Sequence, residues 1–213
     1  MTEDHSMNVI IHAAFRRDLA RFDEALATFP ADSRPRADQL VRAWDNFAGQ
    51  LHHHHHQDEE TIFFPAFREL GVDEGLISDL DSEHGAMIEA LDAAEMSMRR
   101  LHPDPSADNA AAARAALATL DRVMTTHLDH EERDLEPFAA QHKATPRLRQ
   151  AQVAVRKAHK GGVGTFMAWL VDGAGPGTKI ALRKEIPAPV LFVLTRVAGR
   201  NYDRQIATAW NGA

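Results

Sequence analysis

The chain has 213 residues, 44% hydrophobic and 7% aromatic, with a formal net charge of −7 and a pI near 6.0. That length suits one large domain or a core domain with an appendage, and the acidity, with no basic patch, argues against a nucleic-acid surface. The lack of cysteine excludes disulfides, zinc ribbons and iron–sulfur clusters and fits a cytoplasmic protein. The acidic start Met1-Thr2-Glu3-Asp4-His5 does not read as a secretory signal. The longest apolar run, near Pro187 to Val197, is broken by Thr195 and Arg196 and is too short to span a bilayer. Histidine is the anomaly, with 13 in the chain.

Four long helices are expected from apolar spacings of three and four. The first runs from about Ser6 to Phe29 with the stripe Val9, His12, Phe15, Leu19, Phe22, Leu26, and Phe29-Pro30 with Pro35 ends it. The second runs from about Ala37 to Leu70 through Leu40, Trp44, Phe47, Leu51, His55, Glu59 and Ile62, with a kink expected at Pro65 and a cap at Gly71. The third, about Asp73 to Leu101, carries Ile77, Leu80, His84, Met87, Leu91, Ala94 and Met98, and His102-Pro103-Asp104-Pro105 closes it. The fourth, about Ala107 to His142, carries Leu117, Leu120, Met124, His127, Glu131, Leu135 and Phe138. Short connections predict antiparallel neighbours, hence an all-α, up-down-up-down four-helix bundle.

Each stripe sets a histidine among large apolar residues, and the second and fourth repeat one pattern. His55-His56-Gln57-Asp58-Glu59-Glu60 and His127-Leu128-Asp129-His130-Glu131-Glu132 both contain His-x-x-x-Glu. Residues four apart share a helix face, so each pair can offer an imidazole nitrogen and a carboxylate oxygen to one point. His12, His55, Glu59, His84, His127 and Glu131 therefore converge on one core. Any one of them alone would read as a satisfied core residue. Together they would be costly to bury uncompensated, unless metal ions bind them. The run His52 to His56 is internal and has no flanking linker, unlike a purification tag. Five consecutive helical positions sweep the circumference at ~100° each, so at most two can reach the core.

Nitrogen and carboxylate donors suit non-haem iron first, then manganese, zinc or cobalt. Two octahedral ions need about twelve positions. With bridging glutamates and an oxo or hydroxo bridge, a place stays open for O2, H2O2 or NO. His56 is the leading candidate for an added ligand, with His130 next.

These residues resemble the haemerythrin family, in its bacterial form, the HHE cation-binding domain. The matching features are His12; His55-His56-x-x-Glu59-Glu60-x-x-Phe-Phe-Pro; Glu83-His84; and His127-Leu-x-His130-Glu131-Glu132-x-x-Leu-Glu-Pro, over roughly residues 5–142. The resemblance implies a bundle holding an oxo-bridged di-iron centre in a protein that binds oxygen, senses oxygen or iron, or decomposes peroxide. The invertebrate oxygen carriers place two histidines four apart on the third helix. Here Leu80 and Ile88 flank His84 at that spacing, which favours a sensor, a peroxide-handling site or an iron-responsive site over reversible carriage.

Residues 1–145 are thus expected to form the di-iron bundle and residues 146–213 a helical extension packed on it. The extension should comprise a basic amphipathic helix from Pro146 to about Lys160, the interruption Gly161-Gly162-Val163-Gly164, an apolar segment from Phe166 to Val171, a glycine-rich loop at Gly173 to Gly177, and one helix from Pro187 to Trp210. A dimer interface or a weak membrane-surface contact are the other readings of this part, and the protein is expected to be a monomer or homodimer. The leading function is binding of dioxygen or a related ligand, as sensor or carrier. A catalase-like di-iron enzyme, a metal-responsive interaction module and a structural zinc protein are the alternatives.

Overall fold

The computed structural model describes residues 6–159 and 161–210. The acidic start (residues 1–5), Lys160 at the expected end of the fifth helix, and residues 211–213 lie outside them.

Every regular element among the described residues is a helix. Four long segments carry the histidines of the expected site: α1 (Met7–Ala27); α2 (Arg34–His52), running through a π-helical stretch (His53–Phe63) into α3 (Phe64–Glu69); α4 (Glu74–Leu101); and α5 (Ala107–His130), running through a second π-helical stretch (Glu131–Leu135) into α6 (Glu136–His142). Their starts are written locally. Ser6, Asp73 and Ser106 each accept a hydrogen bond from the backbone N–H three residues on, and Pro35 occupies the first turn of α2. Gly71, at φ 87°, turns the chain between α3 and α4.

Both π stretches precede a proline. Pro65 and Pro137 each stand six residues after Glu59 and Glu131, in the first turn of α3 and α6. A proline inside an α-helix removes one ladder bond and crowds the carbonyl four residues back. The wider i→i+5 turn upstream accommodates it, so the expected kink takes the form of a change in helical pitch.

The four segments pack around one core, with α4 against α5, α5 against α1, and α2 against both α1 and α4. Two apolar clusters fill it. The larger is built on Phe15, Phe22, Trp44, Phe47, Met87, Met98, Leu120 and Met124. The smaller holds Phe64, Phe67, Ile77, Leu80 and Leu135. The histidine layer lies between the two along α2, α4 and α5.

The rest of the chain joins both clusters. In α7 (Pro146–Ala158), Leu148 and Ala151 enter the smaller one. Next come α8 (Val163–Val171), α9 (Pro176–Glu185), α10 (Ala188–Val193), a π turn (Leu194–Ala198), α11 (Arg200–Gln205) and a 3₁₀ turn (Ala207–Ala209). Trp169, Leu182, Tyr202 and Ile206 reach the larger cluster. The single helix expected over Pro187 to Trp210 is thus broken into four pieces. The break at Gly199 has a steric cause: a Cβ there would sit 2.6 Å from Ala168 Cβ and 2.5 Å from Thr195 O, and one at Gly164 would meet Ala198. Backbones this close need glycine. α9 was absent from the expected elements; Pro176 opens it inside what read as a glycine-rich loop.

A buried polar network fastens this part to α1. Trp169 Nε1 donates to Asp18 Oδ2 at 2.7 Å, Arg17 Nε donates to Asp18 Oδ1 at 2.8 Å, and Arg21 and the Tyr202 hydroxyl both donate to Asp172 Oδ2 at 2.8 Å. No helix among the described residues is long and apolar enough to cross a membrane.

Candidate metal centre

Two groups of buried side chains could each hold a cation. His55, Glu59, His84 and His127 form one; His12, His54, Glu59 and Glu131 form the other; within each group the donor atoms lie within 4.8 Å of one another. Glu59 is common to both. The structure therefore brings together all six residues expected from the sequence, His12, His55, Glu59, His84, His127 and Glu131, and adds His54.

His54 was missed because the stripe was followed in steps of four, Leu51, His55 and Glu59, whereas His54 stands three residues after Leu51 and shares its face. On an α-helix, Glu59 pairs with the residue four before it, His55. On the π-helical stretch, residues five apart also share a face, and His54 Nε2 stands 3.0 Å from Glu59 Oε1. His54 and His55 thus both face inward. His56 is not brought to either group: its side chain is 56% exposed, and its Nδ1 donates to Glu60 Oε2 at 2.7 Å. His130 also stays outside, bonded to Glu83. Where the sequence offered His56 or His130 as an added imidazole, the structure brings His54 to the second group instead.

Carboxylates behind the rings set their orientation. His12 Nδ1 donates to Glu132 Oε1 (2.9 Å), His84 Nδ1 to Glu60 Oε1 (3.0 Å) and His127 Nδ1 to Glu83 Oε2 (3.0 Å). In each Glu-Glu doublet the first glutamate faces the core and the second holds a histidine of a neighbouring helix, Glu60 on α4 and Glu132 on α1. The doublets were visible in the sequence, and they are the signal that could have disclosed these supports. With Nδ1 protonated, a neutral imidazole presents a lone pair at Nε2. Carboxylate support of this kind is what metal-bound histidines characteristically have.

The donors converge, and only some of them satisfy one another. His84 Nε2 and His127 Nε2 are 3.1 Å apart, and His12 Nε2 lies 3.2 Å from both His54 Nε2 and Glu131 Oε2. Neither ring nitrogen of His55 and neither oxygen of Glu59 has a hydrogen-bond partner, although all are buried. Glu59 Oε1 is turned to His54, and Oε2 lies 3.4 Å from His84 Nε2 and 3.9 Å from His55 Nε2. Paired lone pairs and an orphaned buried carboxylate are unfavourable in a protein interior, and a pair of cations would satisfy them. The donor set of imidazole and carboxylate fits first-row transition metals, iron among them.

In the metal-free chain, protons carry part of that load. Burial works against charge on His12, but hydrogen bonds to Glu131 and Glu132 outweigh it and raise its pKa to about 9. Burial likewise opposes the charge on His84, yet Glu59 and Glu60 hold its pKa up. Burial pushes His55 well below its ordinary value and lowers His127 as well. Burial would raise Glu59, but His54 and His55 keep it ionised, well below the usual carboxylate range. Phe15 lies against His54 and His55 at centroid distances of 5.8 and 6.2 Å, and Phe64 stacks on His84 at 5.6 Å, so the layer has apolar walls.

A family model, the hemerythrin HHE cation-binding domain, matches residues 10–139. No curated protein and no solved structure matches the chain.

Proposed function

The chain belongs to the hemerythrin HHE cation-binding domain family, and from that premise we propose that it is a non-haem di-iron protein that binds dioxygen or a related small ligand, as a sensor of oxygen, redox state or iron. In this reading the four long segments form an up-down-up-down bundle. One iron would be held by His55, His84 and His127 and the other by His12, His54 and Glu131, with Glu59 within reach of both groups.

The observation that carries the reading is the position of Glu59, whose two oxygens face different histidine groups. Seven side chains, even with both carboxylates bridging, leave about three of twelve octahedral positions unfilled. A di-iron pair supplies redox chemistry and a place for a small diatomic or peroxide ligand. The protein's own part is to orient the imidazoles through Glu60, Glu83 and Glu132, and to keep bulk water out with Phe15 and Phe64.

One observation favours a second reading, a peroxide-decomposing enzyme. Glu83 accepts from buried His127 through one oxygen and from partly exposed His130 through the other, at 3.0 and 2.8 Å. Such a chain could exchange a proton between solvent and the edge of the layer. The two readings separate on addition of hydrogen peroxide to the iron-loaded protein. A persistent spectral change without gas supports the sensor. Sustained oxygen evolution that fails in His130→Ala supports the enzyme.

A further inference from the structure

The histidine run is only half used by the buried layer. His54 and His55 face inward, whereas His52 and His56 are exposed. These two lie one turn apart on the same face, with ring centroids 5.2 Å apart. His56 Nδ1 is held by Glu60 Oε2 at 2.7 Å, and Glu60 uses its other oxygen to hold Nδ1 of buried His84 at 3.0 Å. One half-buried glutamate therefore braces an outer and an inner imidazole at once. His53 differs: its Nδ1 is engaged by Gln57 at 2.8 Å, and its ring lies edge-on to His159.

We propose that His52 and His56 form a surface site for a divalent transition-metal ion, and that this site loads the buried pair. Two imidazoles four residues apart on a helix present their nitrogens to one point. Imidazole is a ligand for zinc, copper, nickel and iron alike. The carboxylate on Nδ1 leaves Nε2 of His56 for the ion and makes it the better donor. His56, Glu60 and His84 form an unbroken bonded line from the surface to the first buried group, which links the outer site to the inner one. The loading role rests on the paired-metal reading above; the surface site does not.

The test has two arms. In the first, iron-loaded protein is titrated with zinc by calorimetry. The wild type takes up one further zinc per chain, His52→Ala/His56→Ala binds it at least tenfold more weakly, and His53→Ala behaves as the wild type. In the second, metal-free protein is mixed with ferrous iron without oxygen. The double variant reaches the wild-type iron content several-fold more slowly. Zinc binding unchanged in the double variant would overturn the surface site, and an unchanged rate of iron uptake would overturn the loading role. A wild type that takes up no iron while still binding zinc through His52 and His56 would sink the paired-metal reading and the loading role, and leave the surface site standing.

Discussion

His54 Nε2 lies 3.0 Å from Glu59 Oε1, across five residues of π-helix rather than the four of an α-helical turn. The wider turn brings Glu59 to His54 as well as to His55. On the paired-metal reading, His54→Ala should lower the metal content from about two ions per chain to about one, whereas His56→Ala should leave it unchanged. Metal analysis of the two purified variants distinguishes them. The reverse pattern would contradict the placement of His54 in the metal group.

The carboxylates behind the rings give a graded effect. Glu83→Gln and Glu132→Gln keep the shape of the side chain but remove the charge that braces His127 and His12. Each should weaken metal binding about 10–100-fold with little change in fold, measurable by competition with a chelator. Glu132→Gln should also loosen Arg16, which donates to the same oxygen at 2.7 Å.

The proton on His12 links pH to metal binding. Its pKa rises from 6.5 to about 9 in the folded, metal-free protein, with burial opposing and Glu131 and Glu132 prevailing. A group whose folded pKa is raised contributes stability that is complete below its unfolded value and disappears as pH climbs through the folded value. Metal-free protein should therefore lose stability between pH 6.5 and about 9, and His12→Gln should remove that part of the slope in melting curves. Metal must displace the same proton, so affinity should rise with pH and level off near pH 9.

How much of this was legible in the sequence depends on periodicity. The starts of the first, third and fourth long helices and the buried residues His12, His84 and Leu117 follow from caps and apolar spacing, because those signals are local, whereas the second begins at Arg34, ahead of the expected Ala37, with Pro35 in its first turn. The inward turn of His54 stood three residues past Leu51, but its pairing with Glu59 across five residues was not readable, since a π stretch has no composition of its own; only the prolines downstream mark it. The break at Gly199 was equally hidden. Its cause is a helix packed against it from thirty or more residues earlier, and Leu191, Tyr202 and Ile206 keep their inward spacing across it. Glu60 and Glu132 stood in the quoted motifs, but their roles depend on which helix lies alongside.

That close crossing yields a stability prediction. Gly199 has φ of −84°, ordinary for any residue, so replacing it tests packing alone. Gly199→Ala places a methyl against Thr195 O and Ala168 and should cost about 1–3 kcal/mol. Tyr202→Phe removes a hydroxyl donor to Asp172, which keeps Arg21, and should cost about 1 kcal/mol. Chemical denaturation of the metal-free variants measures both.

The most direct test is the iron content and ultraviolet–visible spectrum of the protein purified without added metal, beside Glu59→Ala. A shared carboxylate between two ions predicts about two irons per chain, with charge-transfer absorption, in the wild type, and loss of both iron and absorption in the variant. A wild type carrying no iron, or a single zinc, would contradict it, as would a variant that keeps its full iron content.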